Sequence, residues 1–107
     1  YMVNTKQDTC RYIYVPPYFK TMLENNHHAF MSSVREYCRE LVHPEYHDEF
    51  AKLLDYSYIE EQIAAHGSLK MTYQIRDGSR VHLKITLADR SSADAHELLW
   101  IFLDETQ

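Results

Sequence analysis

Residues 69 to 87, LKMTYQIRDGSRVHLKITL, constrain this chain's fold more than any other stretch, because pattern and turn chemistry there admit one register. Leu69, Met71, Tyr73 and Ile75 alternate with Lys70, Thr72, Gln74 and Arg76. Beyond Asp77-Gly78, Val81, Leu83, Ile85 and Leu87 alternate with His82, Lys84 and Thr86. A period of two is that of a strand with one apolar face, so the stretch reads as a β-hairpin. A two-residue Asp77-Gly78 loop would set Tyr73 opposite His82 and send the two apolar sets to opposite sides of the sheet. A three-residue loop, Arg76-Asp77-Gly78, with Gly78 at the positive-φ bulge position, pairs Ile75 with Ser79, Tyr73 with Val81, Met71 with Leu83 and Leu69 with Ile85. That second register is the expected one.

Before the hairpin, Tyr1 to Thr5 and Cys10 to Val15 read as two further strands around a polar Lys6–Thr9 turn, the second rich in β-branched and aromatic residues. Pro16-Pro17 stops that pattern, and Pro17 suits the first turn of a short helix reaching Glu24. A stronger helix follows. Phe30, Val34, Tyr37, Cys38, Leu41 and Val42 recur at helical spacing, with Ser33, Arg35, Glu36, Arg39 and Glu40 assigned to the solvent side. Pro44 ends it by restricting His43 and opens another helix, whose stripe is Tyr46, Phe50, Leu53 and Leu54. Ser57 and Glu60 have capping-box spacing for a last helix that closes at His66-Gly67. Asp89 to Asp94 is a polar loop, and Glu97 to Leu103 a final strand whose apolar run does not alternate, so its outer face needs a cover.

Two strands, several short helices and three more strands define an α+β class: a five-stranded antiparallel sheet with short helices packed on one face. At 107 residues the chain is expected to form one domain, residues 1–107. A net charge of -5, with eleven scattered Lys and Arg, argues against non-specific nucleic-acid binding. No apolar run spans a bilayer and no signal-peptide plan is seen; the chain starts at Tyr1, as a segment cut from a longer protein would. Cys10 and Cys38 supply neither a disulfide framework nor a metal spacing, so a reducing cytoplasm is expected.

No enzyme is expected in this segment. There is no Gly-x-Ser-x-Gly and no phosphate-cradling Gly-rich loop among only two glycines. His43 and His47 are four apart, as in a zinc helix, but Pro44 at the first helical position makes His43 a cap residue and no Cys pair completes a site. No metal is expected. Adjacent His27-His28 reads as a polar connection rather than a pH sensor. Tyr12, Tyr14, Tyr37, Tyr73 and Trp100 are candidates for a small-ligand pocket with phenolic hydrogen bonds; the competing reading is that they are core.

The order of these elements carries a resemblance. VHPEYHDEF (42–50), YQIRDGSRVHLKI (73–85) and LDET (103–106) resemble, in order and spacing over the last two thirds of the chain, the motifs of PAS (sensory box) domains of bacterial signalling proteins. The resemblance implies a sensor that binds a small ligand or dimerises and regulates an output domain in the same polypeptide, commonly a diguanylate cyclase (GGDEF) or a histidine kinase. It also places an exit motif at Asp104 and Thr106, whose side chains could cap a following helix and so couple it to the sheet. Flavin-binding relatives carry Gly-x-Asn-Cys-Arg-Phe on a helix, whereas Cys10-Arg11-Tyr12 lies in an expected strand, which argues against flavin. Heme-binding relatives use a helix histidine; His66 beside Gly67 reads as a C-terminal dipole partner instead. A colourless, homodimeric domain without flavin or heme is therefore expected. The alternatives are a ligand-free dimerisation module and a small cone-fold α+β enzyme, which would begin with helices.

Overall fold

The computed structural model describes residues 1–12, 14–88 and 97–105, with residue 105 described by its backbone alone. The expected loop at 89–94 and Thr106 lie outside the described residues. Strands β1 (Met2–Asn4) and β2 (Thr9–Arg11) precede helices α1 (Pro17–Asn25), α2 (Phe30–Leu41), α3 (His47–Ala51) and α4 (Tyr56–His66), followed by β3 (Leu69–Gln74), β4 (Arg80–Leu87) and β5 (Glu97–Glu105). The strands form one antiparallel sheet in the order β2-β1-β5-β4-β3, so both hairpins flank a central β5.

The β3–β4 register is the expected one: Leu69 faces Ile85, Met71 faces Leu83 and Tyr73 faces Val81. The Ile75 amide donates to the Ser79 carbonyl and the Gly78 amide to the Ile75 carbonyl, with Gly78 at φ +92 where an L side chain would be strained. Met71, Tyr73, Val81, Leu83 and Ile85 consequently meet Leu98 and Trp100 on one face. The helices cover that face with Phe19, Leu23, Phe30, Val34, Phe50, Leu53, Ile59 and Ile63. Removing a buried Phe of this kind typically costs about 3–5 kcal/mol.

Several boundaries differ from the sequence reading, each for a local reason. β2 stops at Arg11 rather than reaching Val15, because β1 offers its ladder partners only from Met2 to Asn4 and Met2 already faces Arg11. A strand cannot outlast the partner that satisfies its amides. The helix expected after Pro44 is three pieces, with 3-10 turns at Pro44–Tyr46 and Lys52–Leu54 on either side of α3. α4 begins at Tyr56, capped by the Asp55 carboxylate on the Ser57 amide at 2.9 Å, so Asp55 displaces Ser57 as the cap.

Ser33 is the clearest correction. It is fully buried rather than on the solvent side, and its Oγ donates to the Ala29 carbonyl at 2.8 Å beside the Met22 carbonyl at 3.4 Å. Position 33 sits on the same helical stripe as Phe30, Val34 and Tyr37, and a serine satisfied by its own helix can pack there. α2 has no side-chain cap of its own; Asp8, at φ +55 in the β1–β2 turn, provides one from outside.

β5 runs to Glu105, two residues beyond the expected end at Leu103. β4 starts at Arg80, and so supplies partners opposite Glu105 and Asp104. Asp104 is therefore a ladder residue facing Val81 and not the first residue after the strand.

Candidate functional site

β5 is longer than the neighbour on its other side. β1 faces Glu97 to Leu99 and Tyr1 adds one more pair, the Trp100 amide donating to the Tyr1 carbonyl and the Tyr1 amino group to the Trp100 carbonyl, both at 2.8 Å. From Ile101 onward β4 is the only ladder partner among the described strands. Antiparallel strands direct the backbone groups of alternate residues to alternate neighbours. Since Trp100 exchanges with Tyr1, the amides and carbonyls of Phe102 and Asp104 point to the same side, where no strand pairs with them among the described residues.

A cleft of about 620 Å³ opens at this edge, a volume suited to a small organic ligand. Its inner wall is Phe19, Val34, Tyr37, Trp100 and Phe102, and its rim is Tyr12, Tyr14 and Tyr18 from the segment that leaves β2 and enters α1. Arg11 stands at one end and Asp104 at the other. A second cleft of about 670 Å³, beside the 77–80 turn, meets the first at Tyr18, Tyr37, Val81 and Asp104.

The rings pack edge to face. Tyr37 sits against Phe19, Tyr73 and Phe102 at centroid distances of 6.2, 6.4 and 6.1 Å, and lies nearly parallel to Tyr18 at 6.4 Å. Offset and T-shaped contacts of this kind add about 0.5–1.5 kcal/mol each beyond the area they bury. The hydroxyls of Tyr37 and Tyr73 are 2.7 Å apart and satisfy one another in the interior. Burial, more than any neighbouring charge, raises both phenols well above the ordinary tyrosine value. At Tyr18 burial again leads, and the Asp104 carboxylate raises it further. Tyr18, Tyr37 and Tyr73 are thus neutral hydrogen-bonding groups at physiological pH.

Charge in the cleft is unevenly disposed. Arg11 is engaged by Glu97 at 2.6 Å. Asp104 forms no ion pair among the described residues. The indole N–H of Trp100 is buried with no acceptor among those residues.

Of the sequence candidates, Tyr12, Tyr14, Tyr37 and Trp100 line the cleft, whereas Tyr73 does not and is linked to it through its ring and hydroxyl contacts with Tyr37. Tyr12 and Tyr14 are not between sheet and helices; at 44% and 74% exposure they form a rim, because β2 ends before them. Reasoning from sequence missed Tyr1, Tyr18 and Phe102. The helical stripe of α1 points to Phe19, Met22 and Leu23, and nothing local in the pattern marks Tyr18 as facing an open strand edge.

The histidine pair is locally satisfied. His43 Nδ1 accepts from the Glu45 amide at 3.3 Å, the cap role expected of it, and His47 Nε2 donates to the Val42 carbonyl at 2.7 Å. His66 is exposed in the last turn of α4 before Gly67. No group of three or more metal-ligating side chains occurs among the described residues, and none of their helices is long and apolar enough to cross a membrane.

The fold and this site define an α+β domain with an aromatic cleft at a strand edge that has no ladder partner among the described residues. No protein-family model matches the chain, and neither a curated protein nor a solved structure does.

Proposed function

We propose that the chain is a sensory or regulatory domain of the PAS-like class, which takes a small ligand in the cleft and relays its presence to an output domain in the same polypeptide. The observation that carries this reading is the aromatic-lined cleft beside the C-terminal half of β5. The element order, two strands, then helices, then three strands, is the one the sequence resemblance implies and lends support. Asp104 is the next-to-last residue of the final strand, so a ligand touching it acts close to the exit, with Thr106 as the proposed cap of a connector. An output such as a diguanylate cyclase or a histidine kinase fits this reading, and catalysis belongs to that output rather than to this segment.

Trp100 is the only tryptophan and lines the cleft, which makes its emission a direct report. Native mass spectrometry of protein purified without denaturation, with Trp100 fluorescence during a fragment screen, tests the proposal. A retained small molecule, or a fragment that shifts the emission saturably, is the expected result; a chain that keeps nothing and responds to nothing overturns it. No flavin or heme belongs to the proposal, and a visible absorbance band co-purifying in stoichiometric amount overturns that part.

A second reading, a ligand-free dimerisation module, is favoured by the opposite face of the sheet. Leu99, Ile101 and Leu103 of β5 point away from the helices, and Leu103 is 61% exposed. An apolar stripe of this sort is commonly an association surface. Sedimentation equilibrium of the wild type and of Ile101→Glu/Leu103→Glu separates the readings: a dimer abolished by the double substitution supports the module, and a wild-type monomer at all concentrations rejects it.

A further inference from the structure

We infer that the cleft selects a small organic cation whose charge is spread over alkyl groups, of the quaternary or alkylated ammonium kind. This deepens the ligand-site reading above and rests on it.

Three observations converge. Asp104 occupies an inner-face position of β5, in phase with Leu98, Trp100 and Phe102, and so brings a carboxylate to the helix-covered side of the sheet. No ion pair among the described residues neutralises it, while Arg11 at the far end of the cleft is already engaged by Glu97. Beside the carboxylate stand the nearly parallel rings of Tyr18 and Tyr37, with Phe102 on the same wall. An aromatic face attracts a cation through its quadrupole, most strongly where water is displaced.

Other ligand classes fit these groups less well. An anion would find Arg11, the one cationic side chain lining the cleft among the described residues, already paired. A wholly apolar occupant would cover the Asp104 carboxylate without compensating it, and an uncompensated charge is costly to bury. A bare divalent metal would need several oxygen ligands, and one carboxylate among aromatic carbons does not supply them. An alkylated ammonium uses both features at once, its charge against Asp104 and its methyl groups against the rings.

Choline and its neutral isostere 3,3-dimethylbutan-1-ol, titrated against the whole 107-residue chain by calorimetry and Trp100 fluorescence, decide the matter. Choline is expected to bind saturably and the isostere about 10-fold or more weakly, which corresponds to at least about 1.4 kcal/mol. Asp104→Asn, nearly isosteric and at an exposed position, should lose about 10-fold in choline affinity while leaving the circular dichroism unchanged. Tyr18→Leu, also exposed, serves as a second variant and should weaken choline several-fold more than it weakens the isostere. Equal binding of choline and isostere, or an Asp104→Asn affinity equal to the wild type, overturns the cation assignment while leaving the cleft a ligand site. If neither compound binds, the cation assignment falls; if the fragment screen is silent as well, the ligand-site reading falls with it.

Discussion

The Asp8 carboxylate caps a helix that begins 22 residues later: its Oδ1 accepts the Met31 amide at 2.9 Å, and its carbonyl accepts the Phe30 amide at 2.8 Å. These are the first free donors of α2, whose own cap residue, Ala29, has no side-chain acceptor to offer. The same Oδ1 also receives the Tyr56 hydroxyl at 2.5 Å, which ties the first turn of α4 to the N-terminal hairpin.

Asp8→Ala should therefore destabilise the domain by about 2–3 kcal/mol. Loss of a helix cap costs about 1 kcal/mol, and the half-buried Tyr56 hydroxyl loses its acceptor as well. Asp8→Gly, which tolerates the positive φ, should recover part of that loss but not all of it. Urea midpoints of the three proteins check this, and a double-mutant cycle with Tyr56→Phe should give a coupling of about 1 kcal/mol.

Alkaline pH should unfold the protein cooperatively. Burial, the largest cause in both cases, raises the Tyr37 and Tyr73 phenols, whereas in the unfolded chain each ionises near pH 10. Above that pH the unfolded chain binds fewer protons than the native one, so unfolding free energy falls, by up to about 1.4 kcal/mol per pH unit for each phenol. Stability is unaffected by these groups below about pH 10. Urea unfolding at about pH 9 and pH 11 should show the loss, and Tyr37→Phe/Tyr73→Phe should flatten the pH dependence while removing the hydroxyl contact.

Ser33→Glu should abolish folding or lower the melting temperature steeply, although the neighbouring substitution Arg35→Glu is expected to stay within about 0.5 kcal/mol of wild type. Ser33→Ala should cost only about 1 kcal/mol, since it removes one satisfied hydroxyl without creating an orphan donor. Thermal melts followed by circular dichroism distinguish burial at position 33 from the exposed placement that its polarity suggests.

At Gly67 the backbone has φ +84, and an added Cβ would meet nothing within 4 Å. Gly67→Ala should cost about 1–2 kcal/mol through conformation alone, and D-alanine introduced by chemical synthesis should cost nothing or stabilise slightly. Comparison of the melting temperatures of the two variants checks this, because a steric cause would penalise both.

The central hairpin and the sheet class were legible because Tyr73–Val81 and its neighbours obey a strict alternation that only one loop length satisfies. Ser33 was misread because identity was allowed to override phase: its spacing from Phe30 and Tyr37 already put it on the buried stripe. Tyr14 was misread because strand propensity is a property of the segment itself, while the length of β2 is decided by how far its partner β1 extends, which ends opposite Arg11. The cleft itself has no contiguous signature. It arises from a difference in length between β1 and β5, and brings Tyr12 and Tyr18 together with Tyr37 of α2 and Asp104 of β5.

The pairing of Tyr1 with Trp100 joins groups 99 residues apart, whereas β3 and β4 meet across a three-residue loop. Loop-closure entropy makes the second contact cheap and fast and the first expensive and late. The N-terminal hairpin should consequently dock after the β3–β4–β5 meander has formed, drawing in the Asp8 cap as it arrives. Substitutions at Val3 should then speed unfolding while leaving the refolding rate nearly unchanged, and those at Val81 should slow refolding.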